Sequence, residues 1–333
     1  MLYFLSIIFK FFVCIKNYLY DNKYLKTLKL PVPVISVGNL SMGGAGKTPL
    51  VDYLVKYLLK NKKAPAILSR GYGRISKGIQ LVNSSKKNAA AFFGDEAYML
   101  YSKHNIHYAV GKNRWKAGKH LLNKERADCF VLDDAFQHRK IFRDINIVLL
   151  DVSQPKNFYQ AFPKGRLRES YSSLKRADII LFTKVNLISQ ERLSQFKKNL
   201  SQKFCFKNIL SCDVGYYLTD VVSGNGKKID KSKPTVLLSG IANPSVFEKS
   251  VVKQNFLIQK HFMYKDHFLY TEKEVNSVLA YCLEHGINQV LCTEKDWHKL
   301  KEFLKWKDFL FYIKLEVQFV NNEDLFLSKV NGL

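Results

Sequence analysis

Residues 41 to 48 read SMGGAGKT, a combination of residue types that can hold the phosphates of a nucleotide. Backbone N–H groups of a glycine-rich turn can point at phosphate oxygens, Lys47 can reach the outer phosphates, and the Thr48 hydroxyl can ligate magnesium. The general phosphate-loop signature has glycine where this chain has Ser41, so the prediction depends on a strand before the loop and a helix after it. The predicted nucleotide-binding residues here are Ser41, Met42, Gly43, Gly44, Ala45, Gly46, Lys47 and Thr48.

Two adjacent carboxylates, Asp133 and Asp134, directly follow the apolar run FVL. A phosphate loop needs an acidic partner at the end of another strand to hold magnesium or its water. Neighbouring carboxylates are costly unless a cation shares them, and a merely solvated acidic turn does not explain their place at a strand end. We therefore predict that Asp133 and Asp134 are metal ligands.

A second acidic segment, GDEAYML, places Asp95 and Glu96 at the start of a predicted helix. Their charges can simply complement the helix dipole, and the sequence supports this interpretation and a catalytic one equally. A carboxylate near the outer phosphate would suit a general base that takes a proton from an acceptor hydroxyl. Asp266 and His267 occur far downstream in KDHF, where a lone histidine is more often structural unless the fold brings it to the phosphate loop.

Arginine occurs in three predicted loops, and its fork can bind phosphate oxygens bidentately. In so basic a chain each single arginine is weak evidence. The segment ADIILFTKVN has the strand-[NT]KxD pattern of GTPases, but Asn186 replaces the aspartate that would bind guanine, so we do not predict a GTPase. The loop arginines are Arg70, Arg74, Arg114, Arg166 and Arg168.

Short apolar runs alternate with helical patterns from about residue 32 onward. This alternation is typical of an α/β protein with a mostly parallel sheet, like that of P-loop NTPases, and helices on both faces. Functional loops are then expected at the carboxyl ends of the strands. We predict an N-terminal helix over residues 1–28, a P-loop core domain over 29–215, a linker over 216–235 and a smaller C-terminal α/β domain over 236–333.

The N-terminal segment MLYFLSIIFKFFVCIKNYLYDNKYL is apolar and aromatic, but Lys10 and Lys16 interrupt it before the length of a membrane span. At about 100° per residue, Ser6, Lys10, Asn17 and Asp21 form one narrow polar stripe, which is the pattern of an interfacial amphipathic helix. On pattern alone a buried first helix is nearly as well supported. The net charge of +25 favours an anionic membrane surface, because insertion and electrostatic attraction reinforce each other.

Composition excludes several other classes of protein. With 333 residues, 47% of them hydrophobic, the chain can bury a sizeable core and is not disordered. Its six cysteines form no C-x-x-C pair, so neither a disulfide framework nor structural zinc is predicted. The basic charge alone suggests nucleic-acid binding, but no aromatic platform or helix-turn-helix pattern accompanies it, and we predict no nucleic-acid partner. The oligomeric state stays open.

Nine segments, taken in order, resemble the tetraacyldisaccharide 4′-kinases, the lipid A 4′-kinases of Gram-negative bacteria. The resemblance extends from the N-terminal helix to about residue 300. It implies that the γ-phosphoryl group of ATP, with Mg²⁺, is transferred to the 4′-hydroxyl of a membrane-embedded, tetraacylated glucosamine disaccharide 1-phosphate. It also implies a peripheral or monotopic enzyme at the cytoplasmic face of the inner membrane. The segments are VPVISVGNLSMGGAGKTPLVDYL, LSRGYGR, GDEAYML, VGKNRWKAG, LDDAFQHRKIFRDINIVLLD, FPKGRLRE, SGIANPSVF, KDHF and TEKD.

The resemblance also implies roles for single residues. Lys47 and Thr48 match the catalytic phosphate-loop lysine and the magnesium hydroxyl, and the pair at 133 and 134 matches the magnesium-binding DD. Asp95 matches the proposed base and His267 the histidine that supports it, which leaves open whether Asp95 acts alone or with His267. The remaining matches to polar active-site positions are Arg114, predicted to bind nucleotide, Arg168, predicted to be catalytic, and Glu169, predicted to bind metal.

Three positions depart from the family pattern. The family often has glycine in place of Ala135, proline in place of Arg166 and a second histidine in place of Phe268. The alternative function is a membrane-associated P-loop ATPase of the partitioning type, which shares the GGxGKT loop without the first glycine. In such a protein the GDE and DH segments would have no role.

Overall fold

The computed structural model describes residues 1–86, 88–206, 208–224, 226–303 and 308–333. Within these residues, helices and strands alternate along most of the chain. The helices are α1 (Leu2–Asp21), α2 (Lys47–Lys60), α3 (Ala89–Phe93), α4 (Asp95–His104), α5 (Arg114–Leu122), α6 (Gln190–Lys203), α7 (Pro244–Val252), α8 (Glu272–Glu284), α9 (Glu294–Leu300) and α10 (Glu323–Asn331). The strands are β1 (Val34–Asn39), β2 (Pro65–Ser69), β3 (Gln80–Leu81), β4 (Tyr108–Val110), β5 (Cys129–Asp133), β6 (Ile145–Asp151), β7 (Ile179–Thr183), β8 (Leu210–Ser223), β9 (Thr235–Ser239), β10 (Ile258–Met263), β11 (Val290–Thr293) and β12 (Leu310–Phe319).

The strands form one 12-stranded sheet in the order β10-β9-β11-β12-β8-β7-β6-β1-β5-β2-β4-β3. Neighbouring strands are parallel except for the pairs β12 with β8 and β3 with β4. The prediction of a mostly parallel sheet is therefore confirmed. Every residue of β1 is buried between β6 and β5, which explains why VISVGN lacks the regular alternation of apolar and polar residues seen in half-exposed strands.

Helices cover both faces of the sheet, as the sequence predicts. In β6, Ile147 and Leu149 belong to the same apolar core as Leu54 of α2. Val148 and Leu150 point to the opposite face and share a core with residues of α6. Because successive side chains of a strand alternate between faces, this division between two cores requires a helical layer on each side.

The sheet continues from the phosphate-loop half into the C-terminal half without a break. Strand β8 begins parallel to β7 and then pairs antiparallel with β12, so it crosses the predicted boundary at residue 216. Residue 225, inside the predicted linker, lies outside the described residues. Helix α10 returns to the first half, where Phe326 and Val330 join the core of Val51 and Val55. The domain limits drawn from the sequence stay a prediction.

Helix α1 contacts the rest of the protein through its polar stripe and through Phe9, whose ring lies 5.5 Å from that of Phe162. Ser6 Oγ lies 3.1 Å from the carbonyl oxygen of Ala161, and Asp21 forms ion pairs with Arg139 at 2.7 Å and Lys175 at 3.0 Å. Among the residues of α1, Ser6 is the one that is buried. The large apolar side chains face outward and are exposed: Leu2, Tyr3, Phe4, Leu5, Ile7, Ile8, Phe11, Phe12, Ile15 and Tyr18.

This orientation is the reverse of that found in an ordinary surface helix, whose apolar face packs on the core. The alternative of a buried first helix is therefore wrong. By length and composition alone, α1 is long and apolar enough to cross a membrane, so the expectation that Lys10 and Lys16 make it too short for a span is wrong. Its polar contacts with the protein at Ser6, Asn17 and Asp21 are spread along the helix, so it lies against the protein surface and presents its apolar face to the surroundings.

Candidate active site

The predicted phosphate loop lies between β1 and α2, as its chemistry requires. Gly43 and Gly46 have positive φ angles of 114° and 89°, a backbone region that residues with a Cβ rarely adopt. Lys47 is the first residue of α2, and its Nζ lies 3.3 Å from Asn39 Oδ1 and 3.5 Å from Asp134 Oδ1. The N-terminus of α2 and the Lys47 ammonium therefore place two positive centres beside the loop.

The first residues of the loop are held by a second segment of chain. The Met42 N–H donates to the carbonyl oxygen of Arg166 at 2.7 Å, and Ser41 forms an antiparallel bridge with Leu167. Position 41 is thus used for pairing with the segment that carries Arg168. This pairing explains how Ser41 serves in place of the glycine of the general signature, because an extended residue in a bridge does not need glycine's freedom.

Asp133 ends β5, directly beside β1, and its side chain is buried. Burial, reinforced by the negative charge of Glu96, raises the pKa of Asp133 to about 7. In the described residues, its Oδ1 has no hydrogen-bond partner. A buried carboxylate oxygen without a partner is costly, and a divalent cation would satisfy it.

Asp134 has a different environment, although it is the next residue. Its carboxylate accepts hydrogen bonds from Arg168 Nη1 at 3.1 Å and lies 3.5 Å from Lys47 Nζ. Although desolvation acts in the opposite direction, the charges of Lys47 and Arg168 hold the pKa of Asp134 below its ordinary value. Arg114 is buried and donates to the Asp134 carbonyl oxygen at 3.3 Å. Asp134 therefore carries a charge that cations of the protein already balance.

Asp95 and His267 meet, although they are far apart in sequence. Asp95 Oδ2 lies 3.3 Å from His267 Nδ1 and 3.3 Å from Lys299 Nζ. Burial works against ionisation of Asp95, but the hydrogen bond from His267 and the charges of Lys299 and Lys295 hold its pKa below the ordinary value. The side chain of Asp95 is 6% exposed and that of His267 is 25% exposed, so the histidine forms the outer edge of the pair.

The two groups of side chains lie close enough to influence each other. Glu96 follows Asp95 in the first turn of α4, and its charge acts on Asp133. The glycine-rich loop after β2 also reaches His267, since the ring of Tyr72 lies 5.5 Å from the imidazole. The N-terminus of α4 thus joins the Asp95 pair to the acidic strand end beside the phosphate loop.

Two predicted metal ligands are placed differently from Asp133. Thr48 is the second residue of α2 and is partly exposed. Glu169 is buried, and its Oε2 accepts hydrogen bonds from Arg176 at 2.6 Å and from Asn17 of α1 at 3.1 Å. Across the described ranges, no three His, Cys, Asp or Glu side chains converge into a metal site. The metal-binding role of Glu169 stays a prediction, and its observed partners belong to α1 and to residue 176.

Sequence reasoning missed Lys299. It lies in α9, is almost completely buried, and also contacts Asp296 Oδ1 at 3.3 Å and the Phe268 carbonyl oxygen at 3.0 Å. In the segment TEKDWHKL the only available signal is the three-residue spacing from Asp296 to Lys299, which many surface helices share. Its burial against Asp95 depends on how α9 packs on α4.

A phosphate loop between a strand and a helix, with carboxylates at the adjoining strand end and a separate Asp–His pair, defines a P-loop enzyme of the phosphotransferase class. Comparison with known proteins identifies the family. The model of the tetraacyldisaccharide-1-P 4′-kinase family matches residues 1–331, and the chain belongs to this family.

Individual relatives match over nearly their full lengths. A tetraacyldisaccharide 4′-kinase of Bdellovibrio bacteriovorus is 33% identical over 319 residues, which cover 94% of this chain and 93% of the relative. A tetraacyldisaccharide 4′-kinase of Flavobacterium psychrophilum is 36% identical over 334 residues, covering 98% and 94%. Among solved structures, LpxK of Aquifex aeolicus in complex with ATP superposes with a TM-score of 0.78 at 29% identity, covering 98% and 96% of the two chains.

Proposed function

We propose that this protein transfers the γ-phosphoryl group of ATP to the 4′-hydroxyl of a tetraacylated glucosamine disaccharide 1-phosphate, a step of lipid A biosynthesis. The observation that carries the proposal is the Asp95–His267 pair, which Glu96 connects to the acidic strand end next to β1. A kinase needs a group that takes the proton of the acceptor hydroxyl. A partitioning ATPase transfers the phosphoryl group to water and has no acceptor hydroxyl whose proton such a pair would take.

The phosphate loop and its surrounding cations would hold the triphosphate. Backbone N–H groups of the loop and the N-terminus of α2 suit the β- and γ-phosphates, and Lys47 suits the outer phosphate oxygens. Arg114 and Arg168 lie on either side of Asp134. We infer that Arg114 binds nucleotide and that Arg168 shifts from Asp134 to the transferring phosphoryl group, where a planar guanidinium can bind two oxygens.

The donor set also fits a magnesium ion. Asp133 offers a buried oxygen that has no partner in the part of the chain that the structure describes, and the Thr48 hydroxyl lies at the start of α2, next to Lys47. Carboxylate and hydroxyl oxygens are ligands that Mg²⁺ prefers, with the remaining positions filled by phosphate and water. When bound, the ion would supply positive charge that stabilises the negative charge of the phosphates. We infer that Asp133 is the main protein ligand and that Asp134 instead orients Lys47 and Arg168.

We infer that Asp95 and His267 accept the acceptor proton as a unit. The 4′-oxygen forms a bond to the γ-phosphorus while the bond from that phosphorus to the ADP oxygen breaks, and the hydroxyl proton passes to the pair. His267 Nδ1 lies 3.3 Å from the carboxylate and fixes its orientation. Lys299 and Lys295 keep Asp95 ionised before the proton arrives.

The surface around α1 suits an acceptor that stays in a membrane. The exposed apolar side chains of α1 can enter the outer part of a bilayer, while the net charge of +25 attracts anionic lipid. We infer that the protein is peripheral or monotopic at the cytoplasmic face of the inner membrane. The acceptor headgroup then needs to rise only a short way to reach ATP.

A direct assay tests the proposed activity. Purified protein in mild detergent, given γ-labelled ATP, Mg²⁺ and the tetraacyldisaccharide 1-phosphate, is expected to form a labelled 1,4′-bisphosphate lipid. The matched control is the same acceptor without its 4′-hydroxyl, which should receive no label. Lipid-independent ATP hydrolysis without a labelled lipid would instead support the partitioning-type ATPase.

The orientation of α1 gives a second expected result. Replacing Phe4 and Phe11, which are 65% and 60% exposed, with asparagine should weaken binding to phosphatidylglycerol-containing vesicles by about 100-fold or more, since each buried phenylalanine contributes about 1.5–3 kcal/mol. Neither ring packs in the core, so thermal stability should stay unchanged. Vesicle flotation measures the binding, and Leu283→Asn, at an exposed leucine of α8, is the matched control. Equal flotation of the double variant and the control would contradict membrane insertion by α1.

A further inference from the structure

Three side chains from the adjoining strands β7 and β8 hold three consecutive carbonyl oxygens of the phosphate loop. These side chains lie at the end of β7, just after it, and within β8. We refer to Thr183, Lys184 and Tyr216 together as the loop brace. Its hydrogen bonds run from Lys184 Nζ to Gly44 O (2.7 Å), from Thr183 Oγ1 to Ala45 O (3.0 Å) and from Tyr216 Oη to Gly46 O (2.9 Å).

Fixing these carbonyl groups also fixes the N–H groups that follow them. In a planar trans peptide the N–H points away from the carbonyl oxygen of the same unit. The bonds to Ala45 O and Gly46 O therefore set the direction of the N–H groups of Gly46 and Lys47. Those donors are the ones that a phosphate loop directs at phosphate oxygens.

Lys184 occupies an unfavourable backbone conformation. Its φ angle is 63°, in the left-handed region, which is strained for a residue with a Cβ. The ammonium also forms a 2.6 Å ion pair with Asp151, whose side chain is 2% exposed. The lysine side chain is thus fixed at both ends of its contact, by a buried carboxylate and by a loop carbonyl oxygen. Residues with a strained backbone of this kind concentrate at functional sites.

Tyr216 packs so closely on the loop that the contact depends on glycine. A Cβ on Gly46 would lie 2.4 Å from the tyrosine ring. The backbone of Tyr216 is fixed in turn by Asn186, whose side chain accepts from its N–H at 3.0 Å and donates to its carbonyl oxygen at 2.8 Å. Asn186 is the residue that replaces the guanine-binding aspartate of the [NT]KxD pattern. The segment TKVN therefore supports the phosphate loop, and its asparagine does so by hydrogen bonding to the backbone of Tyr216 in β8.

We propose that the loop brace consists of positioning residues that set the affinity of the phosphate loop for the triphosphate. The proposal rests on the proposed function only as far as ATP binding. It concerns neither the acceptor nor the proton transfer. ATP affinity should depend on each brace bond. Lys184 acts differently from the other two, because it fixes the Gly44 carbonyl group at the turn where the Ala45 N–H donates to Gly43 O at 3.1 Å. We expect the largest share from Lys184, since a hydrogen bond from a charged donor is stronger than one from a hydroxyl.

Equilibrium binding of a fluorescent ATP analogue, displaced by ATP, tests the brace without the lipid. Lys184→Met should weaken ATP binding by about 10- to 100-fold, the range for losing a charged hydrogen bond. Lys184→Arg should restore most of the affinity, because it keeps the donor and its charge. Lys253→Met, at an exposed lysine after α7, is the matched control and should bind like the wild type. If the wild-type protein bound no ATP, the proposed function itself would be wrong, and not only the proposal about the loop brace.

Steady-state kinetics separate positioning from mere stability. Loss of positioning raises KM for ATP while kcat at saturating ATP changes by less than about threefold, whereas a smaller folded fraction lowers kcat and leaves KM unchanged. Tyr216→Phe keeps the packed ring and removes only the hydroxyl, so it remains informative if Lys184→Met is insoluble. It should raise KM by about 3- to 10-fold. The proposal is wrong if Tyr216→Phe and soluble Lys184→Met both bind ATP as tightly as the wild type. If Lys184→Met is insoluble, wild-type affinity of Tyr216→Phe alone would overturn it.

Discussion

Lys47→Ala is expected to lower phosphoryl transfer by about 10²- to 10³-fold or more, the range for removing one fixed donor from a developing charge. The reason is the position of Lys47 at the first residue of α2, where its ammonium faces Asn39 and Asp134. ATP binding should weaken less, by about 10-fold, because the backbone of the loop remains. Labelled-lipid formation measures the first effect, and displacement of a fluorescent ATP analogue measures the second.

Lys60→Ala provides the matched control for this variant. Lys60 lies on the same helix, is exposed, and belongs to its last turn, so the net charge of the variant is the same while the phosphate loop is untouched. This control should keep wild-type activity. Retention of more than about a tenth of the activity by Lys47→Ala would contradict a catalytic role, since removal of a transition-state contact is expected to have a larger effect.

Asp95→Asn is expected to reduce kcat by about 10²- to 10⁴-fold, the usual contribution of a positioned base, with little change in KM for ATP. The asparagine keeps the shape of the side chain but takes up no proton at neutral pH. Lys299 keeps Asp296 as a partner at 3.3 Å, which limits the loss of stability. Steady-state kinetics with both substrates varied give kcat and KM separately. Asp324→Asn, at an exposed carboxylate in the first turn of α10, is the matched control.

His267→Ala decides whether the pair acts as a unit. If it does, the double variant Asp95→Asn/His267→Ala should be hardly slower than Asp95→Asn alone, because residues that act together are strongly non-additive. If the two losses multiply, the residues act independently and the proposed pair is wrong. Thermal unfolding of each variant shows whether a loss of folded protein contributes.

The charge environment of Asp95 also predicts a pH dependence. His267, Lys299 and Lys295 hold the pKa of Asp95 below its ordinary value, which is about 3.9. A carboxyl group with a lowered pKa stays ionised at every pH above that pKa. It becomes protonated only when the pH falls to the lowered pKa. Asp95 should therefore produce no acid limb in kcat between about pH 5 and 8.

The sequence predicts the phosphate loop well because its chemistry is local. A buried strand, a glycine-rich turn and an amphipathic helix are consecutive in the chain, so Lys47 and the N-terminus of α2 need no distant contact to be placed. The position of Asp133 can also be predicted, because the carboxyl ends of parallel strands lie at one edge of the sheet. Motif order suggested that Asp95 and His267 belong to one site, but their separation of 3.3 Å depends on the packing of the two halves of the sheet.

Other features depend on contacts that no local pattern contains. The polar stripe of α1 is visible in the sequence, but its periodicity does not show which face meets the protein. The burial of Lys299 requires α9 to pack on α4, and the return of α10 to the first core requires β12 to cross the sheet beside β8. The contact of Lys184 with the loop was missed for a different reason, because the TKVN pattern first suggests a guanine-binding segment, whereas the side chains of Lys184 and Asn186 contact Gly44 and Tyr216.

The position of α1 on the protein also sets a distance that matters for the proposed membrane-bound arrangement. Lys16 donates to the Gln137 carbonyl oxygen at 3.2 Å, and the Gln137 side chain donates to the carbonyl oxygen of Asn39, the last residue of β1, which leads into the phosphate loop. One helix diameter, about 10 Å, therefore separates the apolar surface of α1 from the support of the loop. In the proposed membrane-bound arrangement, we expect α1 to act as a spacer of fixed length, so that a sugar hydroxyl at headgroup height is phosphorylated while its acyl chains remain in the membrane.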